Sequence, residues 1–125
     1  MVRRLQFPRN AQAPAAARRA IDDLAPVLDA DTVADARLLV SELVTNSVQH
    51  GQGDSIVVHI DAELPGALRC EVIDDGGGFV PRARQESAPF GGWGLDLVEQ
   101  IALSWGVREG STHVWFELPA ARASR

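Results

Sequence analysis

The segment Ser41–Asn46, with the sequence SELVTN, places polar side chains at a spacing that suits chemistry. Glu42 and Asn46 are four residues apart, so on a helix both side chains project from one stripe. His50 extends that stripe by a further turn. A carboxylate and an amide beside leucines would form a polar strip in a partly apolar cleft. Taken alone, the spacing is more typical of a solvated helix face, and His50 is more typical of a contact with the last helix carbonyls.

A second group, Asp74–Phe79 (DDGGGF), directly follows a strand-like run. Its three consecutive glycines permit the backbone to approach a flat ligand closely. A buried Asp74 could accept a hydrogen bond from an exocyclic amine, which would select adenine over guanine. The alternative for the same letters is an ordinary tight turn.

A third group, Gly91–Leu95 (GGWGL), is a glycine turn at the start of a helical pattern. Exposed backbone N–H groups and the helix dipole make such a start an anion site. The alternative is a plain junction between a loop and a helix.

Three helices are predicted to position these groups. The first spans Pro14 to about Val27, where apolar residues recur at helical spacing. The second begins at an Asp31 N-cap, carries the SELVTN segment and ends at Gly51, a favourable residue just beyond a helix. The third runs from Gly94 to about Ser104.

The predicted strands are short and lie on both sides of a long loop. Leu5–Phe7 is a short edge strand, and Ser55–Ile60 and Ala67–Ile73 form an antiparallel pair around a Pro-Gly turn. The last strand is His113–Leu118, after the aperiodic loop 74–92. Because helices and strands are grouped rather than alternating, we expect an α+β fold with helices on one face of a sheet.

Composition excludes several classes of protein. The 125 residues, 46% of them hydrophobic, predict a single domain over 1–125, with a frayed tail at 120–125. A net charge of −5 disfavours nucleic acid or an anionic membrane as the partner. All twelve basic residues are Arg, which excludes a phosphate-binding Walker lysine. A lone cysteine, Cys70, excludes an internal disulfide, and no signal peptide or membrane span is apparent, so we expect a cytoplasmic protein.

Together, the segments SELVTNSVQHG, VIDDGGGF, GGWGLDLV and SWGVREGSTHVWFEL resemble the GHKL ATPases, which include gyrase B, histidine kinases and MutL. They are most similar to the small bacterial serine-protein kinases that act as anti-sigma factors. The resemblance covers the chain from about Phe7 to Pro119. It implies a two-layer α/β sandwich of the Bergerat type, with helices on one face of a mixed, mainly antiparallel sheet.

The resemblance also implies roles for three residues in the first two groups. Asn46 matches the residue that ligates Mg²⁺ bridging the ATP phosphates, and a neutral amide oxygen suits a hard ion that keeps several waters. Glu42 matches the catalytic base. Asp74 matches the carboxylate that contacts the adenine amino group, directly and through water.

The remaining implied site residues come from the glycine-rich parts of the chain. Gly76 and Gly78 match glycines along the adenine pocket, and Thr112 matches a polar residue behind the adenine. An ATP lid is implied at about 80–92, where Arg82 and Arg84 would contact the terminal phosphate or remain solvated loop charges. The tryptophans Trp93, Trp105 and Trp115 are interpreted as packing residues. The phosphate-side segment consists of Gly92, Trp93, Gly94 and Leu95.

From this resemblance we expect an ATP- and Mg²⁺-dependent protein serine/threonine kinase that regulates transcription as an anti-sigma factor. Its expected acceptor is a STAS-type anti-anti-sigma protein, the same surface can bind a sigma factor, and a homodimer is possible. No dimerisation and phosphoacceptor helices precede the domain, so it would act on another protein. The alternatives are an ATP-sensing anti-sigma or adaptor module with little turnover, and a GHKL fold without a nucleotide function.

Overall fold

The computed structural model describes residues 1–51, 53–74, 95–107 and 113–120. Predicted features outside these ranges are the lid, the glycines after Asp74 and the end of the tail. Within the ranges the order of elements is one strand, two helices, two strands, one helix and two strands.

Five strands form one sheet in the order β1-β2-β3-β5-β4, and each pairing of neighbours is antiparallel. The predicted α+β class is thereby confirmed, and β2 and β3 pair around the Pro65-Gly66 turn as predicted. The strands are β1 (Val2–Pro8), β2 (Ser55–Asp61), β3 (Ala67–Asp74), β4 (Ser104–Val107) and β5 (Val114–Pro119).

The helices are α1 (Ala13–Asp22), α2 (Ala30–His50) and α3 (Leu95–Ile101). The prediction that α1 continues to about Val27 is wrong: the helix ends at Asp22 and turns follow. Pro26 explains the early end, since proline lacks a donor N–H and disfavours helical backbone in the residue before it. No helix in the described ranges is both long and apolar enough to span a bilayer.

The N-cap of α2 is Asp29 and not the predicted Asp31. The Asp29 backbone is extended, and its carboxylate accepts a hydrogen bond from the Thr32 N–H at 3.0 Å. The Thr32 side chain, and after it the Thr32 backbone N–H, lower the pKa of Asp29 because hydrogen bonds to a carboxylate favour its charged form. Asp31 instead lies in the first turn, where a negative charge also suits the helix dipole.

The core lies between the helices and one face of the sheet. Alternate residues of β2, β3 and β5 are buried, as expected for a sheet covered on one side. Helix α2 contributes a continuous apolar stripe to the same core, and α1 packs along α2. The largest fully buried side chains from these elements include Phe116, Ile21, Leu39, Ile56, Ile60, Leu68 and Leu118, and Leu24 from the turns after α1 joins them.

The other face of the sheet carries a network of charged side chains on β3 and β5. The Arg69 guanidinium donates to Glu71 and Glu117, both at 3.0 Å, and His113 Nε2 lies 3.0 Å from the Glu71 carboxylate. Arg69 also stacks on the Trp115 ring, 4.3 Å from its centroid. Trp115 is therefore a packing residue, but its partner is this network and not the apolar core.

Strand β4 was not predicted. Its sequence, SWGV, has only four residues, too few for the alternation of Trp105 and Val107 toward the core to identify a strand. Gly106 pairs with Trp115, and a Cβ on Gly106 would meet the Trp115 ring at 3.0 Å. A glycine that admits a neighbouring ring cannot be distinguished from a loop glycine without the fold. Trp105 packs against the core, as predicted.

Candidate functional site

The C-terminal half of α2 carries the predicted polar strip and holds it rigidly. Leu43 and Val44 are buried in the core, which fixes the rotation of the helix about its axis. This rotation leaves Glu42 half-buried, while Asn46 is only 9% exposed. The strip therefore lies at the edge of the core and not on a fully solvated helix face.

Asn46 has a side-chain donor that finds no partner among the described residues. Its Nδ2 atom is buried and makes no hydrogen bond to the part of the chain that the structure describes. Leaving a buried amide donor unpaired costs about 1–3 kcal/mol, so such a group normally has a partner. An amide in this state is suited to a polar ligand, its N–H to an acceptor such as a phosphate oxygen and its carbonyl oxygen to a cation.

Asp74 is the last residue of β3 and lies beside the same part of α2. It is 8% exposed, and Ser47 donates a hydrogen bond from its hydroxyl to Asp74 Oδ2 at 2.7 Å. Since Ser47 follows Asn46 in the chain, the structure brings the second predicted group against the first. The buried acceptor that was predicted for an exocyclic amine is thus present, and its orientation is fixed by a neighbouring hydroxyl.

Gly51 closes this corner of the site. A Cβ at Gly51 would collide with Asp74 Oδ2, and it would lie 2.6 Å from the Ser47 carbonyl oxygen. The Gly51 backbone has φ −81° and is extended, so the expected reason for a glycine after a helix does not apply. Glycine is required here because the Asp74 carboxylate occupies the space of a side chain.

Ser47 and Gly51 were not predicted as site residues. Gly51 was assigned only to the end of the helix. Their roles depend on the carboxylate that β3 delivers from 23 residues further along the chain than Gly51. The only local signal was their spacing from Asn46, which does not reveal what lies opposite.

His50 ends α2 and is exposed. Partial desolvation lowers the pKa of its imidazole, which favours the neutral form. In the described ranges, no group of three or more His, Cys, Asp or Glu residues is arranged to hold a metal. Magnesium is commonly held by one or two protein oxygens together with substrate phosphates, and Asn46 fits a site of that kind.

The other predicted site residues stay predictions. Leu95 is the first residue of α3, so a helix does follow the sequence GGWG. The remaining predicted contacts of nucleotide lie outside the described residues: Gly76, Gly78, Arg82, Arg84, Gly92, Trp93, Gly94 and Thr112.

Comparison with protein families adds an independent finding. Residues 7–118 match the family model of the histidine kinase-like ATPase domain, so nearly the whole chain is covered. The protein belongs to this family, and its membership indicates an ATP-binding domain with a GHKL-type fold. A search of curated proteins finds no match to the chain.

Proposed function

We propose that this protein is an ATP- and Mg²⁺-dependent protein serine/threonine kinase whose acceptor is a STAS-type anti-anti-sigma protein. The observation that carries the proposal is the juxtaposition on α2. A half-buried carboxylate, Glu42, stands one turn before the buried Asn46 amide, and the Ser47–Asp74 pair follows immediately. The family match indicates that the nucleotide is ATP.

In this proposal each residue has a separate task. Asp74 accepts a hydrogen bond from the adenine amino group, and its buried position makes that bond selective against guanine, which carries a carbonyl there. Asn46 would hold Mg²⁺ through its amide oxygen, and the ion would supply positive charge that neutralises the phosphates of the nucleotide.

Glu42 acts on the acceptor protein. Its carboxylate orients the incoming serine or threonine hydroxyl and takes the proton as the oxygen attacks the γ-phosphorus. The new oxygen–phosphorus bond forms while the bond from the γ-phosphorus to the β-phosphate bridging oxygen breaks, and ADP leaves. Glu42 is exposed enough for a protein hydroxyl to approach, whereas Asn46 and Asp74 face the interior.

The second candidate is a module that binds ATP and its partner without turnover. The Ser47–Asp74 pair favours it to the same degree, because adenine recognition does not need a base. Both candidates share an anti-sigma role, in which a sigma factor or a STAS protein binds the domain.

One experiment tests the proposal and separates the two candidates. Nucleotide affinity is measured by calorimetry with Mg·ATP and Mg·GTP, and transfer of labelled phosphate to a STAS-type anti-anti-sigma protein is followed in parallel. The kinase is supported by selective ATP binding together with transfer to a serine or threonine. Selective binding of ATP and of the STAS protein with no transfer supports the module. Equal affinity for ATP and GTP contradicts both.

Asp74→Asn provides the internal control for this assay. The amide keeps the size of the carboxylate but replaces a charged acceptor, and we expect ATP to bind about 10- to 150-fold more weakly, equivalent to roughly 1.5–3 kcal/mol. An unchanged affinity would remove Asp74 from adenine recognition.

A further inference from the structure

Arg9 follows β1 and reaches the end of the helix that carries the candidate site. Its Nη1 donates to the carbonyl oxygens of Ser47 at 3.2 Å and Val48 at 2.9 Å, and its Nε donates to the Gly53 carbonyl at 2.6 Å. These contacts join three separate parts of the chain: the end of β1, the last turn of α2 and the connection to β2. The side chain is half-buried, so the contacts are partly protected from water.

The carbonyls that Arg9 contacts belong to the last turn of a helix. The last four carbonyls of a helix lack partners within it and carry the negative end of its dipole, so a cation there is favourable. A guanidinium has several donors in a fixed plane, which allows it to bridge the helix end and the loop simultaneously. An ammonium group on a flexible stem cannot hold the same arrangement.

Ser47 connects the hydrogen bonds of Arg9 to the candidate site. Its carbonyl accepts from Arg9 and also from the Gly51 N–H at 2.8 Å, while its hydroxyl donates to Asp74 at 2.7 Å. Gly51, held by the same carbonyl, leaves the space that the Asp74 carboxylate fills. The backbone that Arg9 fastens is therefore the backbone that sets where the buried carboxylate points.

We infer that Arg9 is a positioning residue for nucleotide recognition and acts through Ser47 on Asp74. The inference rests on the proposed function, since it assigns to Arg9 the orientation of the carboxylate proposed to contact adenine. In this inference Arg9 acts through the backbone carbonyls that it contacts, without contact to nucleotide or acceptor protein. Its contribution is the selectivity for adenine and not the transfer step.

The test compares Arg9→Ala with two matched variants. Arg4→Ala removes the same side chain from an exposed position of β1. Asp29→Ala removes a cap from the opposite end of α2 and thus loosens the same helix without touching Ser47. The measurements are the affinities for Mg·ATP and Mg·GTP, the melting temperature, and the ¹³C resonance of the Asp74 carboxyl group in the nucleotide-free protein.

For Arg9→Ala we expect ATP to bind about tenfold more weakly, as for the loss of one well-placed hydrogen bond. The ratio of GTP to ATP dissociation constants should fall, and the Asp74 resonance should shift. Arg4→Ala and Asp29→Ala should leave the ratio and the resonance unchanged, although Asp29→Ala should lower the melting temperature. If Asp29→Ala reproduces the loss of selectivity, or Arg9→Ala spares both readouts, the inference is wrong.

One further variant and one further readout test the inference if Arg9→Ala does not fold or if the proposed function fails. If Arg9→Ala does not fold, Arg9→Lys retains the charge but cannot bridge the three carbonyls, and it should shift the same readouts in the same direction by a smaller amount. If the unaltered protein binds ATP and GTP equally, the proposed function fails. The Asp74 resonance then still decides whether Arg9 positions the carboxylate.

Discussion

The Ser47 hydroxyl, in the last turn of α2, donates a hydrogen bond of 2.7 Å to the carboxylate of Asp74 at the end of β3. Both residues are less than a tenth exposed. A hydroxyl that donates to one carboxylate oxygen limits rotation of the group, so the remaining acceptor directions are fixed before a ligand arrives. Preorganisation of this kind strengthens binding because less freedom is lost on association.

The first prediction concerns Ser47→Ala. Removal of the hydroxyl leaves Asp74 without this donor, and we expect ATP to bind about 10- to 150-fold more weakly, corresponding to roughly 1.5–3 kcal/mol for one hydrogen bond to a charged group. Ser47→Thr keeps a hydroxyl and should retain most of the affinity if the extra methyl group is accommodated. Calorimetry with Mg·ATP checks both variants. Full affinity in Ser47→Ala would show that the carboxylate orients itself without help.

The second prediction compares two glycines. Gly51→Ala places a methyl group where the Asp74 carboxylate lies, so it should displace Asp74, reduce ATP affinity by at least about tenfold and lower stability by about 1–3 kcal/mol. Gly66 is its control: it has φ +71° in the turn before β3, with nothing near its Cβ position. Gly66→Ala strains the backbone there.

The comparison separates stability from binding. Gly66→Ala should lower the melting temperature and leave the ATP affinity unchanged, because the turn is at the other end of β3 from Asp74. Thermal unfolding and calorimetry on the same preparations provide the two readouts. Equal losses of affinity in both variants would attribute the Gly51 effect to general destabilisation.

Most of the fold could be predicted because it is written in local patterns. The apolar spacing of α2 and the alternation in β2 and β3 identified these elements to within one or two residues. The errors arose where two local signals competed, where none was present, or where one was not used, as with Pro26 after α1. Asp29 and Asp31 are both acceptable caps, and only the docking of the helix determines which of them becomes the cap. Gly106 becomes a strand residue only through its contact with Trp115.

The sequence predicted the residues of the site that carry chemical groups, but not the residues that position them. The residue types of Glu42, Asn46 and Asp74 themselves suggest chemistry. The structure places Asp74 beside the last turns of α2, which also carry Asn46. Ser47, Gly51 and Arg9 have no such signature. Their importance follows from distances between residues that are 23 to 44 positions apart, which no local pattern encodes.

The third prediction uses acid to probe the charged face of the sheet. Burial alone would raise the pKa of Glu71, but the hydrogen bond from Arg69 and the charges of His113 and Arg69 lower it below its ordinary 4.5 overall. A lowered folded-state pKa means that this carboxylate stabilises the protein fully above about pH 4.5 and loses that effect as the pH falls through the folded-state value.

Glu71→Gln should therefore remove part of the acid sensitivity. At pH 7 the substitution removes the ion pairs of Glu71, so we expect the variant to be about 1 kcal/mol less stable than the unaltered protein. Near pH 3 the stabilities of the two proteins should approach each other. Melting temperatures recorded from pH 7 to pH 3 provide the test. Glu99→Gln, at an exposed position of α3, should run parallel to the unaltered protein. A constant gap between Glu71→Gln and the unaltered protein would contradict the assignment.

The last prediction separates the tasks of Glu42 and Asn46, which are one helical turn apart. Asn46→Ala removes the amide that we propose for Mg²⁺, so ATP affinity in the presence of Mg²⁺ should fall by about tenfold or more, and addition of Mg²⁺ should improve binding less than in the unaltered protein.

Glu42→Gln keeps the size and polarity of the side chain and should bind ATP within a few-fold of the unaltered protein. The same substitution should slow phosphate transfer by about 10²–10⁴, the usual contribution of a positioned general base. Single-turnover transfer of labelled phosphate, with calorimetry on the same samples, measures both effects. Glu42 would not be the base if transfer survives Glu42→Gln, and Asn46 would not hold the ion if Asn46→Ala responds to Mg²⁺ as the unaltered protein does.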